Sequence, residues 1–209
     1  ATMAEAISLA QRHNVSVGAH PSYPDREGFG RRSKFCSADE LYGPLTEQMR
    51  AILLSAESQG ARVTHVKPHG ALYNDAASDP DLAREIVLSV AAVLPDAALV
   101  GLPSSSLSDA AAEAGFAFVS EGFVDRRYQP DGTLVPRTEE NALIEQISNR
   151  AEQAVLLAKG EPIDTGRGHL QLGVQTLCLH GDSAGAAETA TSVRASLETA
   201  GVMVRSPYV

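Results

Sequence analysis

Cysteine occurs only twice in the chain, at Cys36 and Cys178. Two cysteines cannot build a disulfide framework, and they lack the close spacing of a metal-binding pair. Their default state is reduced thiols in a cytoplasmic protein, with Cys178, inside an apolar run, serving packing. No apolar stretch approaches the roughly 20 residues that span a bilayer, and no basic-then-apolar segment opens these residues, so a membrane is not an expected partner. Basic residues are also scarce. Seventeen Lys and Arg stand against 26 Asp and Glu, a formal net charge of -9, whereas nucleic-acid phosphates require a basic footprint. No nucleic-acid partner is expected, although one or two local cations suffice for a small anionic substrate. Three catalytic or nucleotide motifs are missing as well. There is no Gly-x-x-x-x-Gly-Lys-Ser/Thr loop, no Gly-x-Gly-x-x-Gly and no Gly-x-Ser-x-Gly elbow.

What is present is an alternation of helices and short β-type runs. With 209 residues and 44% hydrophobic content, the chain is long enough for one large core, and no low-complexity linker divides it; one domain over residues 1–209 is expected. Helical patterns cover about Thr2–Arg12, Ala38–Gln59, Pro80–Val93, Ser105–Ala114, Glu139–Lys159 and Ala184–Ala200. The second opens on the capping box Ser37-x-x-Glu40, the third on Asp79 followed by Pro80, and Gly60, Gly115, Gly160 and Gly201 follow helix ends. Each helix feeds a β-type run: Val15–Ala19, Val63–Lys67, Ala98–Gly101, Phe116–Glu121, Thr176–His180 and Val202–Val204. Strands separated by helices imply right-handed crossovers and a mostly parallel sheet, either an irregular β/α barrel or an open doubly wound sheet. The chain opens directly on a helical turn, so a further N-terminal strand is expected outside this sequence, completing a seven-stranded type of barrel.

Strands covered by helices should be apolar throughout, and three of these are not. Ser16, Gly18 and His20 alternate with Val15, Val17 and Ala19; His65, Lys67 and His69 alternate with Val66 and Pro68; Thr176, Cys178 and His180 alternate with Leu177 and Leu179. Each strand therefore has one apolar face for the helices and one small or polar face. In a barrel the polar face looks inward, where several ionisable groups are costly unless they bind something. The strands also end in reactive loops: His20–Arg26, Lys67–Gly70, Glu121–Tyr128 and His180–Asp182. Ligands of parallel α/β folds bind at these carboxyl ends.

Plainer roles compete at each position. His20 before Pro21 could simply close a strand, and Lys67 and His69 could be turn residues. His65 with His69 resembles a metal spacing, but Pro68 argues against the helix that would align them, so a hydrogen bond is the better reading for His65. Asp182 suits a helix N-cap as well as catalysis. Glu121, Asp125 and Arg126 suit either a surface ion-pair cluster or a site. Ser104–Ser106 reads as a helix start before an anion loop, and His13 and His169 read as solvated.

These same stretches resemble the LamB/YcsF family. The likeness is carried by Val17–Arg26 with Phe29-Gly30-Arg31, by His65–Asn74, by Glu121–Tyr128, by Asp131–Arg137 and by Cys178–Asp182, in order across nearly the whole chain. It implies an irregular β/α barrel and ATP-dependent opening of 5-oxo-L-proline to L-glutamate, as one component of a 5-oxoprolinase with two further subunit types. The family's opening acidic strand and a Gly-Phe-His-Ala-Gly-Asp-like segment have no counterpart in this sequence. Under this resemblance His20, Lys67, His69, His180 and Asp182 are the candidate catalytic residues. Arg31, Lys67 and Arg126 are candidate cations for ATP as co-substrate, and Ser22, Tyr73 and Glu121 are candidate substrate contacts. His69 or His20 is the candidate base, and Asp182 the candidate partner of His180. A divalent metal on His20, His69 and His180 would instead mark a metal-dependent deacetylase or amidohydrolase that works without ATP. A non-catalytic ligand-binding subunit is the third reading.

Overall fold

The computed structural model describes residues 2–33, 38–182 and 185–208. Ser37, expected to cap the second helix with Glu40, and Cys36 lie outside the described residues. The chain divides into two compact units, residues 1–118 with 208–209, and residues 119–207.

The first unit begins with α1 (Met3–Arg12). Thr2 and Glu5 form a capping box there, in which the Thr2 hydroxyl accepts from the Glu5 N–H and the Glu5 carboxylate accepts from the Thr2 N–H, satisfying two donors that a helix start leaves open. Then come β1 (Val17–Ala19), α2 (Ala38–Glu57), β2 (Val63–Val66), α3 (Ala71–Ser78), α4 (Pro80–Val93), β3 (Ala98–Gly101) and α5 (Ser106–Glu113). Asp79 caps α4 by accepting from the N–H groups of Asp81 and Leu82, and Ser105 caps α5 by accepting from Ser108 N–H. β1 pairs parallel with β2 and β2 parallel with β3, with Gly18 opposite His65 and Val66 opposite Leu99. Ala19, Val66 and Leu99 pack into one apolar cluster with Leu41, Leu45 and Met49 of α2, Ile86 and Val90 of α4 and Leu107 of α5. Fully burying side chains of this size stabilises by about 1.5–3 kcal/mol each. The apolar strand face does meet helices, as the alternation requires.

The second unit contains most of β4 (Phe118–Phe123), α6 (Ile147–Lys159), the short β5 (Ile163–Asp164) and β6 (His169–Leu170), β7 (Thr176–Cys178) and α7 (Ala186–Thr199). β4 and β7 are parallel, with Glu121 opposite Thr176 and Phe123 opposite Cys178, while β5 and β6 form an antiparallel pair. Val124, Ala151, Ala154, Val193 and Leu197 form its own core cluster. The fold is α/β with parallel strands flanked by helices.

Several expectations are corrected. α3 takes residues read only as a loop motif. α6 starts at Ile147 rather than Glu139, because residues 125–144 are stapled across a long loop: Arg127 N–H donates to Ala142 C=O, Val135 N–H to Arg127 C=O, and Ile144 N–H to Asp125 C=O. No strand forms at Val202–Val204, and the N-cap of α7 is Gly185 rather than Asp182. Among the described residues, no helix is long and apolar enough to cross a membrane.

Candidate active site

In the first unit, parallel pairing continues past the ends of β1 and β2. Lys67 N–H donates to Ala19 C=O at 3.0 Å, and His69 N–H donates to Pro21 C=O at 2.8 Å. This ladder sets His20 and His69 side by side. His20 Nδ1 lies 2.6 Å from Lys67 C=O, His20 Nε2 lies 3.0 Å from His69 Nδ1, and His69 Nε2 lies 2.9 Å from Phe29 C=O. The two rings meet edge to face, with centroids 4.8 Å apart.

Carbonyls only accept, so in these two outer contacts His20 Nδ1 and His69 Nε2 are the donors. The sequence offered His20 or His69 as a base, and the fold brings the two rings into contact with each other.

The loops around the pair are held by residues that sequence reasoning missed. Gln48 of α2 grips the backbone of Ser22 from both sides, its Oε1 accepting from Ser22 N–H at 3.0 Å and its Nε2 donating to Ser22 C=O at 2.9 Å. Tyr23 hydroxyl donates to Asp75 at 3.0 Å. Buried Asp25 accepts from Gly28 N–H at 3.0 Å. A Cβ on Gly70, whose φ is +62°, would sit 2.4 Å from the Gly30 carbonyl oxygen; only glycine lets the two loops approach this closely. Phe29 also has a positive φ, 54°, uncommon for a bulky residue, at the point where its carbonyl meets His69.

The other first-unit candidates are placed as follows. Lys67 Nζ lies over the buried Tyr73 ring, 5.7 Å from its centre, and the Arg31 guanidinium lies over the Phe29 ring at 5.3 Å. Ser22 is half-buried, its hydroxyl donating to Tyr23 C=O. His65 is a hydrogen-bonded wall residue, as expected. Thr64 hydroxyl donates to Val17 C=O at 3.2 Å and so receives the His65 Nδ1 hydrogen at 3.0 Å. The imidazole stacks on Tyr208, with centroids 4.1 Å apart. It lies so close over Gly18 that a Cβ there would come within 2.2 Å. Burial, and then the charge of Lys67, push its pKa down to about 4, so it is neutral near pH 7.

The second unit presents a different arrangement. His180 Nδ1 lies 2.9 and 3.0 Å from the two oxygens of Asp125, and His180 N–H reaches Asp125 at 3.3 Å. Asp125 is 3% exposed. Its burial pushes the carboxyl pKa up, but the hydrogen bonds and charge of His180 outweigh burial and hold it below its ordinary value. A carboxylate on Nδ1 fixes the tautomer and presents Nε2 as a base. Sequence reasoning assigned that orienting role to Asp182; at Nδ1 it belongs to Asp125. The surface ion-pair reading is likewise overturned, because Glu121, Asp125 and Arg126 are all buried. Arg126 donates to the Val135 and Ala142 carbonyls at 2.5 and 3.4 Å, bracing the long loop. Burial, then nearby Arg137, lower its pKa to about 10. Gln153 of α6 secures the same loop by donating to the Phe123 and Arg126 carbonyls. Its signal, a polar residue on the buried face of a helix, was readable but carried no hint of its partners.

Among the described residues no three His, Cys, Asp or Glu side chains are grouped to hold an ion, and His20 and His69 turn facing nitrogens toward each other.

Parallel α/β units with ionisable groups at strand ends define a class of enzyme-like folds. Within that class the chain belongs to the LamB/YcsF family, whose model matches residues 1–208 and so spans both units. It is 44% identical over 203 residues to the 5-oxoprolinase A-subunit of Methylococcus capsulatus, covering 97% of this chain and 78% of that protein. It is 42% identical over 207 residues to the 5-oxoprolinase A-subunit of Heliobacterium modesticaldum, covering 99% and 82%. A crystal structure of a lactam utilization protein from Thermus thermophilus superposes with a TM-score of 0.89 at 38% identity, covering 97% of this chain and 81% of that one.

Proposed function

We propose that this chain is the ring-opening component of an ATP-dependent 5-oxoprolinase, a hydrolase converting the cyclic amide 5-oxo-L-proline to L-glutamate. The observation that carries the reading is the His20–His69 pair, in contact at the ends of β1 and β2 with His20 on the Lys67 carbonyl. Relatives that bear the name of the 5-oxoprolinase A-subunit, 42–44% identical to this chain, support it. A lactam carbonyl resists attack through amide resonance. Phosphorylating its oxygen at the expense of ATP gives an imidate-like phosphate that water attacks more readily. Collapse of that water adduct breaks the ring C–N bond, the nitrogen taking a proton to become the amine and the carboxyl carbon keeping the phosphate as an acyl phosphate; a second water then releases phosphate and leaves L-glutamate.

Such chemistry calls for cations near the phosphate and a donor for developing charge. Lys67 and Arg31 are the proposed cations, the His20–His69 pair the proton donor, and Ser22 and Tyr73 the substrate contacts. In the second unit, His180 oriented by Asp125 has the chemistry of a general base, while Glu121 and Asp182 remain proposed participants. Arg126 is proposed as a brace rather than a phosphate ligand, since its N–H groups serve two carbonyls. ATP is the co-substrate of the assembly, and we assign no ATP loop to this chain. Two further subunit types, a cytoplasmic setting and a barrel of the seven-stranded type complete the proposal.

The test is reconstitution of the full-length chain with the subunits encoded beside it. Addition of 5-oxo-L-proline and ATP is expected to give equimolar glutamate and ADP; ATP-independent turnover on a tightly bound metal would favour the deacetylase-type alternative instead.

A further inference from the structure

Phe29 is exposed, strained and closely engaged at once. Its side chain is 63% exposed, so little apolar burial is gained from it. Its φ of +54° lies in the left-handed region, where a bulky side chain is crowded. Among the described residues, the other non-glycine positions with positive φ are Asn14, Ser104 and Asn141, all small and polar. The surrounding loop holds the conformation in place. Gly30 N–H donates to Asp25 C=O at 2.9 Å, Arg31 N–H to Gly28 C=O at 3.0 Å, and Ala71 N–H to Gly30 C=O at 2.9 Å. Strain imposed by its neighbours on an exposed aromatic residue argues for a role beyond packing.

That role lies in what the residue touches. The Phe29 carbonyl accepts from His69 Nε2 at 2.9 Å. The Phe29 ring meets the same imidazole edge to face, with centroids 5.1 Å apart and planes 86° from parallel. The Arg31 guanidinium lies over this ring, 5.3 Å from its centre, where the ring quadrupole attracts a cation. Arg31 is exposed, and a long exposed side chain without a surface to rest on samples many rotamers. One aromatic residue therefore engages both an imidazole and a guanidinium of the candidate site. We propose that Phe29 is a positioning residue, its strained backbone and exposed ring holding His69 and Arg31 in place for substrate. What those two groups then do rests on the proposed reaction; how they are held does not.

Two variants test this. Phe29→Asn removes the ring but accepts a positive φ, and Phe29→Tyr keeps the ring. In the full-length chain without partner subunits, Phe29→Asn is expected to melt at or above the wild-type temperature. Its Arg31 Nε–H is expected to lose the heteronuclear Overhauser effect of an ordered side chain, which Phe29→Tyr should retain. In the reconstituted assembly, Phe29→Asn should lower kcat/KM for ATP by about tenfold, and Phe29→Tyr should restore it. A melting temperature more than about 4 °C below wild type would make the ring a packing element and overturn the proposal. So would an unchanged Arg31 signal in Phe29→Asn, or wild-type turnover by that variant in an active assembly. If the wild-type assembly leaves 5-oxo-L-proline intact, the functional reading fails, while the melting and Arg31 measurements still decide the role of Phe29.

Discussion

Asp125 and His65 illustrate how single side chains are tuned here. Asp125 fixes the His180 tautomer through Nδ1, so Asp125→Asn should free the ring and lower turnover of the reconstituted assembly by on the order of 10²–10⁴-fold, by analogy with other carboxylate–imidazole pairs. KM for 5-oxo-L-proline should change little. Loss of binding with kcat intact would contradict an orienting role. His65 makes a pH prediction. Its folded pKa of about 4 is below the ordinary 6.5, so the unfolded chain binds the extra proton first. Stability is full above pH 6.5, falls as pH drops toward 4, and then levels off. The loss should be of order 2 kcal/mol after allowing for partial exposure. Thermal melts from pH 7.5 to 4 check this, and a His65→Gln variant should show a shallower decline over the same window.

Close contact between loops matters more at the level of elements. The Lys67–Gly70 turn leads into α3, and its Gly70 abuts Gly30. Gly70→Ala should therefore cost about 1–3 kcal/mol through positive φ and overlap with a backbone oxygen, lowering the melting temperature by roughly 2–12 °C. An unchanged melt would refute that packing. These elements also mark what sequence could and could not reveal. The starts of α4 and α5 were readable because Asp79 and Ser105 cap locally. β1, β2, β3, β4 and β7 were readable from short apolar runs after helix stops. α3 was hidden because it is only eight residues long and opens on Gly70 with no side-chain cap. β5 and β6 have two residues each, too few for any periodicity. The Glu139–Gln146 stretch has a helix-like pattern, yet its long-range bonds run to residues 125–127, which no local rule anticipates.

Across the whole molecule, the polar strand faces identified His20, Lys67, His69 and His180 as candidates, because alternation is a one-dimensional signal. Their partners were not legible. His20 meets His69 across 49 positions and Asp125 meets His180 across 55, distances that only the folded chain closes. That gap explains why Asp182, adjacent in sequence, was favoured over Asp125, and why the contact between the two histidines was not foreseen. The measurement bearing most directly on the function is glutamate and ADP formation from 5-oxo-L-proline by the reconstituted assembly, comparing wild type with Lys67→Met. The predicted result is equimolar products from the wild type and at least a 100-fold loss with Lys67→Met. Unchanged turnover by Lys67→Met, or full turnover when this chain is left out, would contradict it.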